Sequence, residues 1–124
     1  MSERTILYIE DNEYNRKIVR QLLTRTPFRL LEAADGETGV ALAQQELPAL
    51  VLMDVQLPKM SGLEATRLLK ADARTAGIPV IVITSFALSG DREKAAAAGA
   101  DSYLAKPYSP RELLALVRQY LPES

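Results

Sequence analysis

The sequence predicts a three-layer α/β domain in which helices cover both faces of a five-stranded parallel sheet. The first observation is a regular alternation: short apolar runs begin at positions 5, 28, 50, 79 and 102, and each interval has room for one helix and two loops. The second is that these runs are apolar throughout, as in the Ile-Pro-Val-Ile-Val-Ile of 78–83. Strands of this kind are buried on both faces, so the chain is predicted to form one doubly wound unit.

The apolar runs define the predicted strands. Most are rich in β-branched residues or leucine, which favours buried extended structure. Consecutive parallel strands need a crossover connection, so each gap between two runs is predicted to hold a helix. The predicted strands span 5–9, 28–33, 50–53, 79–84 and 102–105.

Capping residues predict where the helices begin. Ser61 and Ser109 each precede a glutamate by three residues, which is the capping-box pattern, and Pro110 suits the first position of the last helix. Gly99 is placed to end the fourth helix in a left-handed conformation. The predicted N-cap residues are Asn12, Asp35, Ser61, Ser89 and Ser109.

The composition excludes several classes of function. The chain has 124 residues, 48% of them apolar and 25% charged, with a formal net charge of −1, which is typical of one folded domain. It has no cysteine and no histidine, so disulfides, zinc sites built from these residues and Ser-His-Asp triads are excluded. A near-neutral chain has no field that would gather nucleic acid. No stretch is long enough for a membrane span or a signal peptide, so the expected compartment is the cytoplasm.

Polar residues follow the predicted strands at the points where they end. Glu10 and Asp11 follow the first strand, Asp54 the third, and Lys106 the fifth, while Thr84 ends the fourth. Ligands of an open parallel sheet bind at this edge. Converging carboxylates repel one another unless a cation lies between them, and oxygen ligands suit Mg²⁺.

The same edge could also carry phosphoryl chemistry. A carboxylate at a strand end can act as a nucleophile and form an aspartyl phosphate, and Lys106 and Thr84 could hold the phosphoryl oxygens. Taken singly, each residue has an ordinary structural alternative as a helix cap, a solvated loop, a surface charge or a strand former. Their coincidence at four strand ends favours a functional site.

Four segments match one known pattern: Ile-Leu-Tyr-Ile-Glu-Asp-Asn at 6–12, Met-Asp-Val-Gln-Leu-Pro-Lys-Met-Ser-Gly at 53–62, Ile-Thr-Ser at 83–85 and Tyr-Leu-Ala-Lys-Pro at 103–107. With the spacing of Asp54, Thr84 and Lys106, these segments resemble the receiver domain of two-component response regulators. The resemblance covers nearly the whole chain. It implies a flavodoxin-like fold with strand order 2-1-3-4-5, a single receiver domain over 1–124 and no output domain.

The resemblance assigns roles to the acidic residues. It makes Asp54 the phosphoacceptor and makes Glu10 and Asp11 the pair that holds Mg²⁺ directly or through water. The main-chain carbonyl of Gln56 is expected to complete the protein's share of the coordination. Glu10 stands where an aspartate is more usual in the family.

The resemblance also implies a switch that responds to the phosphoryl group. Thr84 is expected to hydrogen-bond this group and Lys106 to form an ion pair with it. Tyr103 is expected to change rotamer on activation. A cis peptide before Pro107 would aim the lysine into the site.

The function implied is a phosphorylation-controlled switch. The chain would accept its phosphoryl group from a sensor histidine kinase or a phosphotransfer protein and act on a downstream protein target through contacts, with no nucleic acid or membrane involved. One alternative is a receiver domain cut from a hybrid histidine kinase.

Enzymatic and nucleotide-binding alternatives are less favoured. Magnesium-dependent phosphatases of the haloacid dehalogenase type place a second aspartate two residues after the nucleophile to donate a proton. Gln56 occupies that position here and cannot supply one, so a turnover enzyme is not expected. The chain also lacks the glycine-rich phosphate loops of nucleotide-binding domains.

Overall fold

The computed structural model describes residues 4–85 and 90–122. Five strands form one parallel sheet in the order β2-β1-β3-β4-β5, so the predicted fold class and strand order are confirmed. The strands are β1 (Thr5–Ile9), β2 (Arg29–Ala33), β3 (Leu50–Asp54), β4 (Val80–Thr84) and β5 (Ser102–Ala105). The helices are α1 (Glu13–Leu23), α2 (Gly36–Glu46), α3 (Gly62–Ala71), α4 (Asp91–Ala97) and α5 (Pro110–Tyr120).

The strand boundaries differ from the predicted ones by a single residue at three places. β2 and β4 each begin one residue later than predicted, at Arg29 and Val80. Pro79 has no N–H, but its carbonyl oxygen still accepts from the Val51 N–H at 3.0 Å. Asp54 is the last residue of β3 and pairs with Ile83, so its backbone is fixed by the sheet. The carboxylate predicted to follow a strand is therefore part of that strand.

The predicted caps form where the structure describes them. Asn12, Asp35 and Ser61 each accept a hydrogen bond from the N–H three residues ahead, and Ser109 forms a complete capping box with Glu112. Ser89 lies outside the described residues, as does Phe86; the residue at the N-cap position of α4 is Gly90, which offers no side chain.

The end of α4 also agrees with the sequence prediction. Gly99 has a φ of 99° and its N–H donates to the Ala96 carbonyl, while the Ala100 N–H donates to the Ala95 carbonyl. This pair of bonds is a Schellman motif, which needs a residue in the left-handed region. The helix therefore turns directly into the short loop before β5.

Two apolar clusters cover the two faces of the sheet. One lies beneath α1 and α5 and includes Leu52 and Ile83, and the other lies beneath α2, α3 and α4 and includes Met53 and Val82. Because successive strand residues point to opposite faces, Asp54 continues the first face. Thr84 follows Ile83 and continues the second. Within the described part of the chain, no helix has the length and apolarity that a membrane crossing requires.

Candidate functional site

The strand order brings the predicted site residues together at one edge of the sheet. β3 is the central strand, with β1 on one side and β4 on the other. The order of the strands reverses between β1 and β3, which is where open α/β sheets form a ligand crevice. Glu10 and Asp11 flank this crevice from β1, and Asp54 flanks it from β3.

Three carboxylates lie close enough to share one cation. One oxygen from each of Glu10, Asp11 and Asp54 lies within 4.8 Å of the others. Glu10 is 1% exposed and Asp54 is 2% exposed, whereas Asp11 is open to solvent. A set of hard oxygen ligands with one open side fits Mg²⁺, which keeps part of its water shell when it binds to proteins.

Glu10 is fixed by four hydrogen-bond donors. Its Oε1 atom accepts from the Tyr8 hydroxyl at 3.2 Å, the Asn15 side-chain amide at 3.3 Å and the Lys106 ammonium at 3.0 Å. Its Oε2 atom accepts from the Asn12 N–H at 3.2 Å. Neither Tyr8 nor Asn15 is among the site residues predicted from the sequence. Their polar atoms satisfy a buried carboxylate that an apolar strand end would leave without partners.

Lys106 reaches the crevice from the end of β5. Its ammonium lies 3.0 Å from Glu10 Oε1 and 3.5 Å from Asp54 Oδ2, so one cation bridges two buried carboxylates. The Lys106–Pro107 peptide bond is cis, as the resemblance predicted, and the Lys106 N–H donates to the Thr84 carbonyl at 2.7 Å. Burial opposes the charge on the ammonium, but Asp54 and Glu10 outweigh it and raise the pKa of Lys106.

The pKa values of the two buried carboxyl groups are shifted in opposite directions. Burial raises the pKa of Asp54 above its ordinary value, and the adjacent Glu10 raises it further through a hydrogen bond and its negative charge. Burial also opposes the ionisation of Glu10, but hydrogen bonds with Asp54, Lys106 and the Asn12 N–H lower its pKa overall. In the absence of a cation, Glu10 therefore carries the charge more readily than Asp54.

Gln56 connects the end of β3 to the end of β4. Its N–H donates to Asp54 Oδ1 at 3.3 Å, and its side-chain amide donates to the Thr84 hydroxyl oxygen at 3.2 Å. Its side-chain oxygen accepts from the Ser85 N–H at 3.4 Å. The resemblance implies a role for the main-chain carbonyl of Gln56, and the structure adds this bridging contact of its side chain.

Gly62 allows the loop after β3 to fold back under the site. A Cβ atom at this position would lie 1.9 Å from the Asp54 carbonyl oxygen, so any other residue would displace the backbone at the end of β3. The Gly62 N–H donates to the Val55 carbonyl at 3.0 Å. The glycine thus fixes the close approach of α3 to the end of β3.

Thr84 and Tyr103 lie on the same face of the sheet. Thr84 pairs with Ala105, and Tyr103 pairs with Val82, so the two side chains occupy alternate positions on neighbouring strands. Thr84 is buried and Tyr103 is half-buried. The Arg92 guanidinium on α4 lies 5.5 Å from the centroid of the Tyr103 ring. Strand β5 is therefore linked to α4 through this aromatic ring.

A cavity of about 480 Å³ opens beside the site. It lies between α1 and the start of α5, and its lining includes Ile18, Leu22, Tyr108 and Lys106. Its walls are mainly apolar, while Lys106 marks the side that faces the carboxylates. A largely apolar surface therefore borders the lysine side of the site.

A parallel sheet of order 2-1-3-4-5 with three carboxylates and one lysine at its carboxyl edge is the arrangement expected of a receiver domain. The chain belongs to the response regulator receiver domain family, whose profile matches residues 6–118. The fold and the class of protein implied by the resemblance are therefore confirmed. A receiver domain of two-component systems has a histidine kinase as its partner.

The most similar curated relatives include the polar-differentiation response regulator DivK of Brucella anthropi. The two chains are 36% identical over 121 residues, which is 98% of each. Solved neighbours include the receiver domain of the sensor histidine kinase PA1611 from Pseudomonas aeruginosa, with a TM-score of 0.89, 34% identity and coverage of 98% of this chain and all of that one. That domain holds a magnesium ion coordinated in its active-site cleft. A CheY-like receiver domain from Methanospirillum hungatei is 31% identical, with a TM-score of 0.88 and coverage of 97% and 94%.

Proposed function

We propose that Asp54 accepts a phosphoryl group and that Lys106 and Thr84 hold this group in place. The observation that carries the proposal is the position of the Asp54 carboxylate, which is buried at the end of the central strand with the Lys106 ammonium 3.5 Å away. An isolated buried carboxylate is costly to the fold, so its retention beside a cation points to chemistry. Membership of the receiver family supports the same role.

The proposed reaction transfers phosphorus from nitrogen to oxygen. An Asp54 carboxylate oxygen forms a bond to phosphorus while the phosphorus–nitrogen bond of a partner's phosphohistidine breaks, and the imidazole leaves with the electron pair. Lys106 balances the charge on the phosphoryl oxygens, and the Gln56 N–H holds the acceptor carboxylate in position. The donor imidazole approaches through the cavity beside Lys106.

Magnesium is the cofactor in this proposal. Asp11 and Asp54 would hold it directly, and the Gln56 carbonyl would complete the protein ligands. Glu10 would contribute through water, since its Oε1 atom already accepts from three donors. When bound, the ion supplies positive charge that neutralises the phosphoryl oxygens. Without a cation, the same three carboxylates would repel the incoming phosphoryl group, so we expect transfer to require Mg²⁺.

The receiver domain itself carries the output in this proposal. The chain acts as a cytoplasmic switch and not as a turnover enzyme, and it binds a downstream protein through a surface that changes on phosphorylation. The Gln56 side chain supports the view that the chain is not a turnover enzyme, because its amide cannot donate a proton to a leaving group. A second candidate, a receiver domain of a hybrid histidine kinase, is favoured by the 34% identity to such a domain.

A small acyl phosphate tests the acceptor without a kinase. We expect the wild-type protein with Mg²⁺ to gain one phosphoryl mass, located at Asp54 by mass spectrometry of its peptides. Asp54→Asn should gain none. Asp35→Asn is the matched control because Asp35 also lies near the edge of the sheet, and asparagine caps a helix as well as aspartate does. Phosphorylation of Asp54→Asn at the wild-type level would show that another residue is the acceptor.

A phosphotransfer profile then separates the two candidates for the whole protein. Purified kinases and phosphotransfer domains of the source organism are incubated with the chain, and the rate of transfer to Asp54 is compared. Preferential transfer from an independent kinase supports a free-standing switch. Preferential transfer from a hybrid kinase's own phosphohistidine supports the second candidate.

A further inference from the structure

The side chain of Gln56 is engaged at both of its polar atoms by the end of β4. The Ser85 N–H donates to its oxygen at 3.4 Å, and its amide nitrogen donates to the Thr84 hydroxyl oxygen at 3.2 Å. Because the Ser85 N–H can only donate, it fixes which side of the carboxamide faces Ser85 and which faces Thr84. The contact joins two segments that lie 28 and 29 residues apart in sequence.

The same two groups lie at the edge of the crevice that a phosphoryl group on Asp54 would enter. Its three oxygens need hydrogen-bond donors and positive charge. The Gln56 N–H and the Lys106 ammonium already face the Asp54 carboxylate. The Ser85 N–H and the Thr84 hydroxyl are the next donors along the neighbouring strand. The Gln56 carboxamide accepts from the first and donates to the oxygen of the second, so it holds both groups at their resting positions.

Resting on the proposed function, we infer that the Gln56 carboxamide is a placeholder for the phosphoryl group. It accepts from the Ser85 N–H and donates to the Thr84 hydroxyl oxygen while Asp54 is unmodified. Both bonds break when a phosphoryl oxygen takes the Ser85 N–H and Thr84 moves to donate its hydroxyl to the group. Gln56 is thus a positioning residue that sets how readily phosphorylation moves Thr84. Its side chain is half-buried, so the displaced carboxamide can turn toward solvent.

The expected effect follows from the two hydrogen bonds that must break. A typical neutral hydrogen bond shifts an equilibrium by about fivefold. These two are long, so we expect their removal to increase the affinity for a phosphoryl mimic by about three- to tenfold. A ligand shifts a two-state element only by its differential affinity, and the resting contact is part of that difference.

Beryllofluoride with Mg²⁺ provides the test, because it binds a carboxylate as a phosphoryl mimic without turnover. We compare its affinity for the wild type, for Gln56→Ala and for Gln56→Met, which keeps the length of the side chain but has no amide. Both variants should bind it more tightly than the wild type. Gln44→Ala is the matched control, since it removes a glutamine that hydrogen-bonds Asp72 at 3.1 Å far from the site. It should bind like the wild type.

Amide NMR of the unmodified proteins gives a second readout that loss of packing would not mimic. In Gln56→Ala and Gln56→Met, the Ser85 amide should exchange faster with solvent. The Thr84 and Tyr103 signals should also move from the resting toward the beryllofluoride-bound positions of the wild type. Signals that stay at the resting positions would overturn the inference.

The affinities separate failure of this inference from failure of the proposed function. If the wild type binds beryllofluoride and Gln56→Ala binds it equally or less tightly, the placeholder is wrong and the switch stands. If Gln56→Met behaves like the wild type while Gln56→Ala binds more tightly, the side chain acts by bulk, and the hydrogen-bonded placeholder is also wrong. If the wild type neither binds the mimic nor gains a phosphoryl mass at Asp54, both proposals fall.

Discussion

Leu52 and Asp54 lie two residues apart on β3, on the same face of the sheet, yet their burial affects the folded state in opposite ways. Leu52 is fully buried and Asp54 is 2% exposed. Burying the leucine removes apolar surface from water and stabilises the fold. Burying the carboxyl opposes its ionisation and destabilises the fold at neutral pH.

The difference shows how the domain separates stability from function. The interior of the sheet is apolar on both faces, where the two clusters consist of hydrophobic residues. The buried charged groups described above lie at the ends of the strands. The carboxyl edge holds charge instead, with Lys106 between Glu10 and Asp54. An interior of this kind provides the surplus stability with which buried charge at the edge is tolerated.

The largest effect is expected in the interior. Leu52→Ala should lower the free energy of unfolding by about 2–5 kcal/mol, because it removes buried methyl groups and leaves a cavity at the centre of the sheet. Urea denaturation measures the change. Leu68→Ala is the control, since Leu68 is 44% exposed on α3, and it should cost much less. Equal losses in the two variants would contradict the division between interior and surface.

At the carboxyl edge, a substitution is expected to increase the free energy of unfolding, by less than the loss in the interior. Burial, with a hydrogen bond and negative charge from Glu10, raises the pKa of Asp54 from 3.8 to about 7. Between these pH values the folded state binds more protons than the unfolded state, so this group makes the protein less stable as the pH rises. Asp54→Asn should therefore stabilise the protein by about 1–3 kcal/mol at pH 7 without divalent ions, and the gain should vanish below pH 4.

Denaturation of both proteins across this pH range checks the sign. Glu13→Gln is the control because Arg16 and Arg20 lower the pKa of Glu13, so removing its charge should destabilise the fold at pH 7. A loss of stability in Asp54→Asn at pH 7 would mean that its charge is stabilised by Lys106 beyond the effect of burial.

Local signals made most of the fold and much of the site predictable. Caps depend on residues three positions apart, and the strands on short apolar runs, so both could be found without knowledge of distant contacts. The edge of a parallel sheet collects whatever follows each strand, and this rule grouped Glu10, Asp11, Asp54 and Lys106 correctly. The structure brings all four into one crevice.

The partners of these residues depended on long-range geometry and could not be predicted. The Gln56 side chain meets the end of β4, which lies 28 residues away, and nothing in the local sequence specifies that contact. Tyr8 occurs in an apolar predicted strand, where nothing in the local sequence gives its hydroxyl a partner. A polar atom in a fully buried strand residue next to Glu10 was the signal that could have identified it. The need for Gly62 appears only when the Asp54 carbonyl is placed against α3.

Binding of Mg²⁺ should offset part of the destabilisation that the buried carboxylates cause at the edge of the sheet. At ten times its dissociation constant, an ion that binds only the folded state stabilises it by about 1.4 kcal/mol. Asp11→Asn should abolish most of this gain while leaving the ion-free protein nearly unchanged, because Asp11 is exposed. Thermal unfolding with and without Mg²⁺ measures both values. Glu46→Gln, an exposed acid on α2, should respond like the wild type, and an undiminished gain in Asp11→Asn would remove it from the metal site.

The smallest expected effect is the coupling between phosphorylation at the carboxyl edge and the conformation of the sheet face beneath α4. Thr84 and Tyr103 share this face on neighbouring strands, and the Tyr103 ring packs under the Arg92 guanidinium. If the phosphoryl group draws the Thr84 hydroxyl toward Asp54, space opens for the Tyr103 ring, and α4 follows. Coupling between two sites in such switches is about 1–3 kcal/mol, and one hydroxyl should carry only part of it.

Thr84→Ala should therefore still accept the phosphoryl group, but more slowly and with a smaller response at Tyr103. By amide NMR we expect less than half of the wild-type shift change at Tyr103 and Arg92 on phosphorylation. Thr84→Ser keeps the hydroxyl and should restore most of the change, which separates hydrogen bonding from packing of the methyl group. Full wild-type shifts in phosphorylated Thr84→Ala would mean that the signal reaches α4 by another route. The loop that joins Asp54 to α3 through Gly62 is the next segment through which it could pass.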